Sequence, residues 1–550
     1  MQKRYSYFFT VILTIAVIAI LFMKVFLANK GLVIDDEAWF LLLMKELPSG
    51  DAMTQFHKLF FNVFRGDIYA IRISYFFFEL VSYSTFSIGL YSFFKEKYLL
   101  KPIHLYYFFA LTLIGASIFS LPICNIPYYA NLNKTLVPFS MGLLLFTFYK
   151  KSHNKHFYTY LFLSGLIIGF QAFIMITTVS IYLFFFILIY LYLKHQYISS
   201  ILTFCGGILT SIAIYFLFIE TPIHFWEQEI LVNFNSYAGS DYKEKHGLLP
   251  IIRWCFITLK YLIFYCLFPA LAVIGGLKLL PLLNRLQKRM FYILLVITGL
   301  LYFYFDIIKG EHEYASINLF IAALMYVIID TFIIQKKEIP NYPFFIIILI
   351  LPLFLSIGTD VGFKIRATDY IGTYFPLIYI LGLHFKPKKQ LIFSIVLVCY
   401  LMNYSTMYYR GNWGYFRYVD QKYAVKKLGI DQNLYVNSVV YTNLELLQPL
   451  LKNNETVILS DKNLNGICYL LNLKLLSYDF KLQPNKIIEK LNSNSKLNSI
   501  KLIEDSYSPF EYDFINKITE QTSYKLKDTN KVGIHTIYTL KKDVTNKEII

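Results

Sequence analysis

The sequence predicts an α-helical polytopic membrane protein, with about 13 transmembrane helices and a small C-terminal α/β domain outside the cytoplasm. Composition is the first reason: of 550 residues, 57% are hydrophobic and 19% aromatic, and the mean hydropathy is +0.50. Apolar runs long enough to cross a bilayer recur up to residue 409. From residue 410 onwards Asn, Lys, Asp, Glu and Ser become common, and no such run remains. We therefore predict a transmembrane domain at 1–409 and a soluble domain at 410–550.

The charged loops between the apolar runs predict the orientation in the membrane. The first run, residues 5–28, is too long for a signal peptide and lacks a small-residue cleavage site, so we predict a retained first helix. With the N-terminus in the cytoplasm, the loops on that side are basic, as at 95–101 and 386–389. The opposite loops are longer and acidic or mixed. This alternation predicts a multi-pass protein of the inner (plasma) membrane whose C-terminal domain is extracytoplasmic.

Charge and cysteine usage exclude several other classes of protein. The net charge of +17 could indicate a nucleic-acid-binding protein, but many basic residues form short clusters between apolar runs. We therefore expect membrane lipids as neighbours and no nucleic acid. The six cysteines fall singly, without a CxxC pair or a His/Cys metal spacing. Neither a disulfide framework nor a structural zinc site is predicted.

Short β-prone runs alternate with helix-like stretches in the soluble domain. The runs lie at 456–459, 474–478, 497–503 and 535–540, and a helix-like stretch lies at 509–521. Such alternation is typical of a small α/β domain. Gly466 and Gly533 stand alone in sequence, so no phosphate-binding glycine loop is predicted. A lid or spacer over the membrane part is favoured over an independent enzyme.

Three consecutive carboxylates, Asp35, Asp36 and Glu37, follow the first apolar run directly. A helix that crosses the bilayer once must bring them to a membrane face, where carboxylates are costly. They form either a solvated loop or a site that needs negative charge at the membrane surface.

Basic side chains that could bind a phosphate gather in the loops of the same predicted side. His57 and Lys58 lie in the first loop, Arg72 lies about one turn inside the next span, and Lys364 and Arg366 share a later loop. Guanidinium groups form paired hydrogen bonds with phosphate oxygens, and lysine adds a point charge. Arg72 could instead extend its side chain to the membrane interface. A set of carboxylates and histidines could also hold a divalent metal, although no spacing is diagnostic.

The first region of the chain resembles a known family. Residues 34–41 read IDDEAWFL. The later segment 54–72 contains Gly66 and ends with Arg72, which enters the second helix. This combination resembles the GT-C glycosyltransferases of the protein O-mannosyltransferase and aminoarabinose-transferase type. In that family the acidic motif lies at the acceptor and at the base or metal position. The resemblance assigns this position to Asp35, Asp36 and Glu37, of which Asp36 and Glu37 match the acidic pair of the family best.

Two departures from the family affect the donor side. The Pro-Pro-Leu step of the family is replaced by Gln-Phe-His-Lys at 55–58, and the lysine often found after the fifth helix is absent from 174–178. The residues predicted to contact a donor phosphate are therefore chosen on chemistry: Lys364, Arg366, Arg72, Lys58 and His57.

The resemblance implies a membrane enzyme that transfers a sugar from a polyprenyl-phosphate donor to an extracytoplasmic acceptor. The acceptor would be a glycan, lipid or protein of the cell envelope, as in polysaccharide biosynthesis, and a divalent metal ion is the one cofactor left open. A flippase or transporter of lipid-linked oligosaccharide is an alternative, but it would need ionisable residues within several spans, where Glu79, Asp306 and Asp330 are the obvious ones. A polysaccharide polymerase or ligase would share the donor and stays open as well.

Overall fold

The computed structural model of the protein forms two compact units. The first unit comprises the described residues within 1–24, 75–122 and 129–407, and the second comprises those within 25–74 and 408–550. The structure describes residues 2–32, 36–46, 58, 61–120, 129–150, 155–174, 180–219, 221–226, 256, 260, 263, 282–287, 289–290, 293, 341–356, 370–383, 418–461, 464–476, 484–494, 496–511 and 513–543.

Helices dominate the first unit, and the second mixes helices with strands. In chain order the helices are α1 Gln2–Leu27, α2 Asp36–Glu46, α3 Ile68–Phe94, α4 Ile103–Ser120, α5 Tyr129–Lys150, α6 Lys155–Gly169, α7 Gln171–Ile174, α8 Ile181–Tyr192, α9 Tyr197–Phe218, α10 Pro222–Phe225, α11 Tyr342–Ser356, α12 Ile371–Leu383, α13 Ser438–Leu447, α14 Asn465–Leu470, α15 Pro484–Ser493 and α16 Phe514–Gln521. The strands are β1 Tyr423–Ala424, β2 Tyr435–Val436, β3 Thr456–Leu459, β4 Lys474–Leu475, β5 Ser499–Asp505, β6 Tyr524–Val532 and β7 His535–Lys542.

Four helical segments within the described ranges are long and apolar enough to cross a membrane: Phe9–Leu27, Ile68–Phe94, His156–Ile174 and Lys194–Phe218. Shorter apolar helices of the same ranges lie at Ile103–Ser117, Ile181–Tyr192, Tyr342–Leu355 and Gly372–Leu381. The prediction of a mostly helical chain with several apolar helices that could span a membrane is confirmed for the described residues. The total of about 13 spans and the boundary at 409/410 stay predictions.

Small residues let the apolar helices of the first unit approach closely. A Cβ atom at Gly89 of α3 would lie 2.2 Å from the Gly142 carbonyl oxygen of α5. A Cβ atom at Gly207 of α9 would lie 2.2 Å from the Phe162 carbonyl oxygen of α6. Because lipid tails supply no hydrophobic drive between helices, such backbone approach is a main source of their association.

A buried ion pair links α1 and α3 within the first unit. Lys24 Nζ lies 2.9 Å from Glu79 Oε2, and the two side chains are 1% and 2% exposed. Lys24 Nζ also lies 5.6 Å from the centre of the Phe76 ring. Lys134 of α5 is buried as well. The sequence interpretation named Glu79 as an ionisable residue within a span but neither of these two lysines.

A five-stranded mixed sheet organises the second unit. Its order is β4-β3-β5-β7-β6, with β3 parallel to β4 and β5, and β7 antiparallel to β5 and β6. The amphipathic helices α15 and α16 contribute Ile487, Leu491, Phe514 and Ile518 to a core with strand residues of one face. The strands predicted at 456–459, 474–478, 497–503 and 535–540 are present as β3, β4, β5 and β7, and β6 was not predicted.

Candidate functional site

The candidate site lies in the second unit, where the chain leaves α1 and begins α2. Gly31 adopts φ +71°, a left-handed conformation that glycine accepts without strain and that turns the chain after α1. The strand-like segment around Lys30 then pairs with Tyr435 of β2: Tyr435 N–H donates to the Asn29 carbonyl, and Gly31 N–H donates to the Tyr435 carbonyl, both at 2.8 Å. These bonds fix the backbone directly before the acidic motif.

Arg72 of α3 forms a paired ion bridge with Glu37 of α2. Nε donates to Glu37 Oε1 at 2.8 Å, and Nη2 donates to Glu37 Oε2 at 2.6 Å. The same guanidinium donates from Nη1 to the Ala28 carbonyl at 2.8 Å and from Nη2 to the Gly31 carbonyl at 2.9 Å. One arginine therefore joins the end of α1, the turn that follows it and the first turn of α2.

This ion pair is buried, so breaking it is costly. Glu37 is 0% exposed and Arg72 is 4% exposed. A buried charge pair is tolerated only when hydrogen bonds satisfy both groups, and removal of one partner typically costs about 3–5 kcal/mol. The planar guanidinium meets this demand because it can bind a carboxylate through two bonds and still donate to carbonyl groups.

The start of α3, four residues before Arg72, is fixed by side chains from the C-terminal part of the chain. Gln432 Nε2 donates to the Gly66 carbonyl at 3.1 Å, while Ile68 N–H donates to Gln432 Oε1 at 3.2 Å. Tyr469 of α14 donates its hydroxyl to the same Gly66 carbonyl at 2.6 Å. Gly66 has φ +73°, and a Cβ atom there would lie 2.7 Å from the Phe61 ring. A glycine is therefore required at this turn.

Asp67 and Tyr469 add a helix cap and a neutral hydrogen-bond donor to this turn. Asp67 Oδ1 accepts the Ala70 N–H at 2.7 Å and so caps the first turn of α3. Burial, and then the carboxylates of Asp67 and Glu37, raise the pKa of Tyr469 far above its ordinary value. The phenol therefore stays neutral at physiological pH and remains a hydrogen-bond donor.

Lys30 is held beside Tyr435 on the other side of the turn. Its Nζ lies 3.7 Å from the centre of the Tyr435 ring and donates to the Gln421 carbonyl at 3.4 Å. Burial lowers the pKa of Lys30. The side chain thus reinforces the pairing of the turn with β2.

The structure brings two of the predicted site residues together and describes two others. Glu37 and Arg72 form the ion pair, Asp36 begins α2, and Lys58 is half-buried. Their catalytic and donor-binding roles stay predictions. The remaining predicted residues, Asp35, His57, Lys364 and Arg366, lie outside the described residues.

Within the acidic motif, the structure describes the side chain of Glu37. Both carboxylate oxygens of Glu37 accept hydrogen bonds from Arg72. Within the described ranges, no group of three or more His, Cys, Asp or Glu side chains could hold a metal. A divalent metal at this motif stays a prediction.

The sequence interpretation did not single out Gln432, Tyr435 and Tyr469. In the sequence Tyr469 lies 403 residues from Gly66, and Gln432 lies 364 residues from Ile68. The only local signal was the glycine before Asp67, which indicated a turn whose carbonyl group would need a partner.

No family model matches the chain, and no curated protein matches its sequence. Nine chains of solved structures match it. One is the crystal structure of ArnT from Cupriavidus metallidurans in the apo state, which is similar over 97% of this chain and 98% of its own, with a TM-score of 0.38 and 8% sequence identity. Values this low establish neither a shared fold nor a shared activity.

Proposed function

We propose that the protein is a membrane glycosyltransferase of the GT-C type that moves a sugar from a polyprenyl-phosphate donor to an acceptor hydroxyl outside the cytoplasm. The observation that carries this proposal is the ion pair of Glu37 with Arg72, which ties the residue after Asp36 to the end of an apolar helix. A carboxylate motif held rigidly where a membrane helix ends suits a donor whose lipid stays in the bilayer while its phosphate and sugar reach the loops.

In the proposed reaction Asp36 is the general base. Its carboxylate takes the proton of the acceptor hydroxyl, whose oxygen attacks the anomeric carbon of the sugar. The bond from that carbon to the phosphate oxygen breaks, and the electron pair leaves with the polyprenyl phosphate. Cationic side chains stabilise the charge on the departing phosphate. Glu37, with both oxygens bonded to Arg72, acts as a positioning residue that fixes Asp36 at the start of α2.

The donor phosphate is assigned to Lys364 and Arg366, with Lys58 and His57 as further candidates. Arg72 is the least favoured of the predicted phosphate ligands, because its guanidinium already donates to Glu37 and two backbone carbonyls. Replacing both Lys364 and Arg366 by Gln should strongly weaken binding of a radiolabelled polyprenyl-phosphate sugar. Unchanged binding would move the phosphate site to Lys58 or its neighbours.

The transferase proposal is tested by incubating membranes that contain the protein with a panel of radiolabelled polyprenyl-phosphate sugars. Wild-type membranes should move label from at least one donor to an acceptor fraction. Asp36→Asn keeps the side-chain size and removes the base, so the rate should fall on the order of a hundredfold to ten-thousandfold. Asp35→Asn is the matched control and should cost less. Normal transfer by Asp36→Asn would remove the base assignment, and inactivity of wild type with every donor would remove the transferase proposal.

A flippase for lipid-linked oligosaccharide is the second candidate. The buried pair of Lys24 and Glu79 favours it, because both residues lie in apolar helices that could span the membrane, and ionisable residues within spans are typical of transport pathways. Reconstituted vesicles with a fluorescent lipid-linked oligosaccharide separate the two. Movement of the lipid between leaflets without sugar transfer would support the flippase.

A further inference from the structure

We propose that Gln432 and Tyr469 are positioning residues that hold the Asp36–Glu37 motif in its working geometry, so that the C-terminal region forms part of the active site. This inference rests on the proposed transferase function for its catalytic consequence. It differs from the lid or spacer role expected from the sequence, because the two side chains bond directly to the backbone turn that leads into the helix of Arg72.

Two side chains of the C-terminal region bind the carbonyl and amide groups at the start of α3. Gln432 binds this backbone through both ends of its side-chain amide, at Gly66 and at Ile68. Tyr469 supplies a second donor to the Gly66 carbonyl at 2.6 Å. Arg72 follows within the first turns of the helix, so these three bonds help to determine where its guanidinium lies.

Arg72 and α14 both contact the helix that carries the acidic motif. Two bonds from the guanidinium fix Glu37, and α14, which carries Tyr469, packs directly against α2. Tyr469 is itself buried, with 6% of its surface exposed. The C-terminal region therefore acts on the motif through both α3 and α2.

The turn before α2 is also bonded to the C-terminal region. Its two bonds to the Tyr435 backbone hold the segment that presents the Ala28 and Gly31 carbonyls to Arg72. The carboxylate and the two carbonyls that accept from Arg72 thus lie on segments that the C-terminal region contacts. A misplacement of about 1 Å at a reacting group can cost a hundredfold in rate, so loosening these bonds should slow the transfer step.

The test uses the purified full-length protein with Tyr469→Phe, which removes one hydroxyl, Gln432→Leu, which removes two bonds, and the double variant. Tyr507→Phe and Gln521→Leu are matched controls, because both side chains are exposed in the same region. Hydrogen–deuterium exchange should become about tenfold faster in peptides covering 66–72 and 36–46 in the double variant. Peptides covering β5 should be unchanged.

Kinetics then separates positioning from a general loss of structure. With the donor found active on wild type, kcat of the double variant should fall about ten- to a hundredfold while KM for the donor stays within about twofold. Tyr469→Phe alone should retain part of the rate, and both controls should match wild type. Unchanged exchange at 36–46, or faster exchange with an unchanged kcat, would overturn the inference. If wild type transfers no sugar, the transferase proposal fails while the exchange experiment still decides whether the motif is held by these residues.

Discussion

Two buried ion pairs among the described residues are built differently. The pair of Glu37 and Arg72 in the second unit uses both carboxylate oxygens and extends to two backbone carbonyls, through hydrogen bonds of 2.6–2.9 Å. In the pair of Lys24 and Glu79 in the first unit, the ammonium group donates to one carboxylate oxygen at 2.9 Å. The other oxygen, Glu79 Oε1, is buried without a hydrogen-bond partner among the described residues.

The two pairs therefore differ in how firmly the cation holds its carboxylate. Arginine remains protonated under all ordinary conditions, so Arg72 always requires its acceptors, whereas a buried lysine can become neutral by releasing its proton. The planar guanidinium also sets the orientation of Glu37, while an ammonium group that contacts one oxygen does not fix the plane of the Glu79 carboxylate. The arginine pair is therefore suited to holding a site in place, whereas the lysine pair constrains its carboxylate less.

The largest expected effect is that of Arg72→Leu, which removes the guanidinium that binds both oxygens of the buried Glu37 carboxylate. We expect a loss of about 3–5 kcal/mol in the apparent free energy of unfolding, measured by denaturant titration of the full-length protein in detergent. Arg65→Leu is the matched control, because Arg65 is exposed in the same unit. The control should change stability by much less than Arg72→Leu, and equal losses would remove the special role of the buried pair.

The double variant Glu37→Leu with Arg72→Leu sharpens the same point. Replacing both partners of a buried pair by apolar groups is often close to neutral, so most of the lost stability should return. Sugar transfer should stay low, because the bonds that position α2 are still missing. Recovery of activity together with stability would show that the pair is only structural.

Glu37→Gln and Glu79→Gln compare the two pairs directly. In Glu37→Gln the new amide must place its NH2 group against an N–H donor of Arg72, which costs about 1–3 kcal/mol. In Glu79→Gln the new amide can keep its oxygen on Lys24 and turn its NH2 group to the side where Oε1 has no partner among the described residues. Glu79→Gln should therefore lower the apparent melting temperature less than Glu37→Gln. The opposite order would remove the distinction between the two pairs.

The smallest expected effect is the pH dependence of Tyr469. Burial and nearby carboxylates raise its pKa above the ordinary value of 10.0. A raised pKa means that the folded protein holds the phenol proton more tightly, so this contribution is complete below about pH 10 and declines as the pH rises further. The difference in melting temperature between wild type and Tyr469→Phe should be constant from neutral pH to about pH 9.5 and should shrink above it. A change already near pH 8 would contradict the assignment.

The sequence supported the prediction of the site only in part, and for physical reasons. Asp36, Glu37 and Arg72 stand out because charge next to an apolar run is costly, and so their positions could be found. The pairing of Glu37 with Arg72 could not be predicted, because a guanidinium also binds backbone carbonyl groups, here those of Ala28 and Gly31. Every residue carries such a group, so the sequence does not indicate which acceptors Arg72 binds.

In the fold, strands with an apolar pattern were predicted, and a strand without one was missed. The buried strands β3 and β5 were predicted from their apolar residues. Strand β6 was missed because most of its side chains are polar and exposed, with three lysines among nine residues. Such lysines are typical of a sheet edge, where they discourage pairing with another chain, but they resemble a solvated loop in sequence.

The pairing of distant segments in the second unit has a consequence during biosynthesis. Ile68 bonds to a residue 364 positions later in the chain. At a ribosomal rate of roughly 5–20 residues per second, the interval between the two is roughly 20–70 seconds. The nascent first loop therefore reaches the membrane surface well before Gln432, Tyr435 and Tyr469 exist. A protein whose synthesis stops early would carry the acidic motif without the residues that order it.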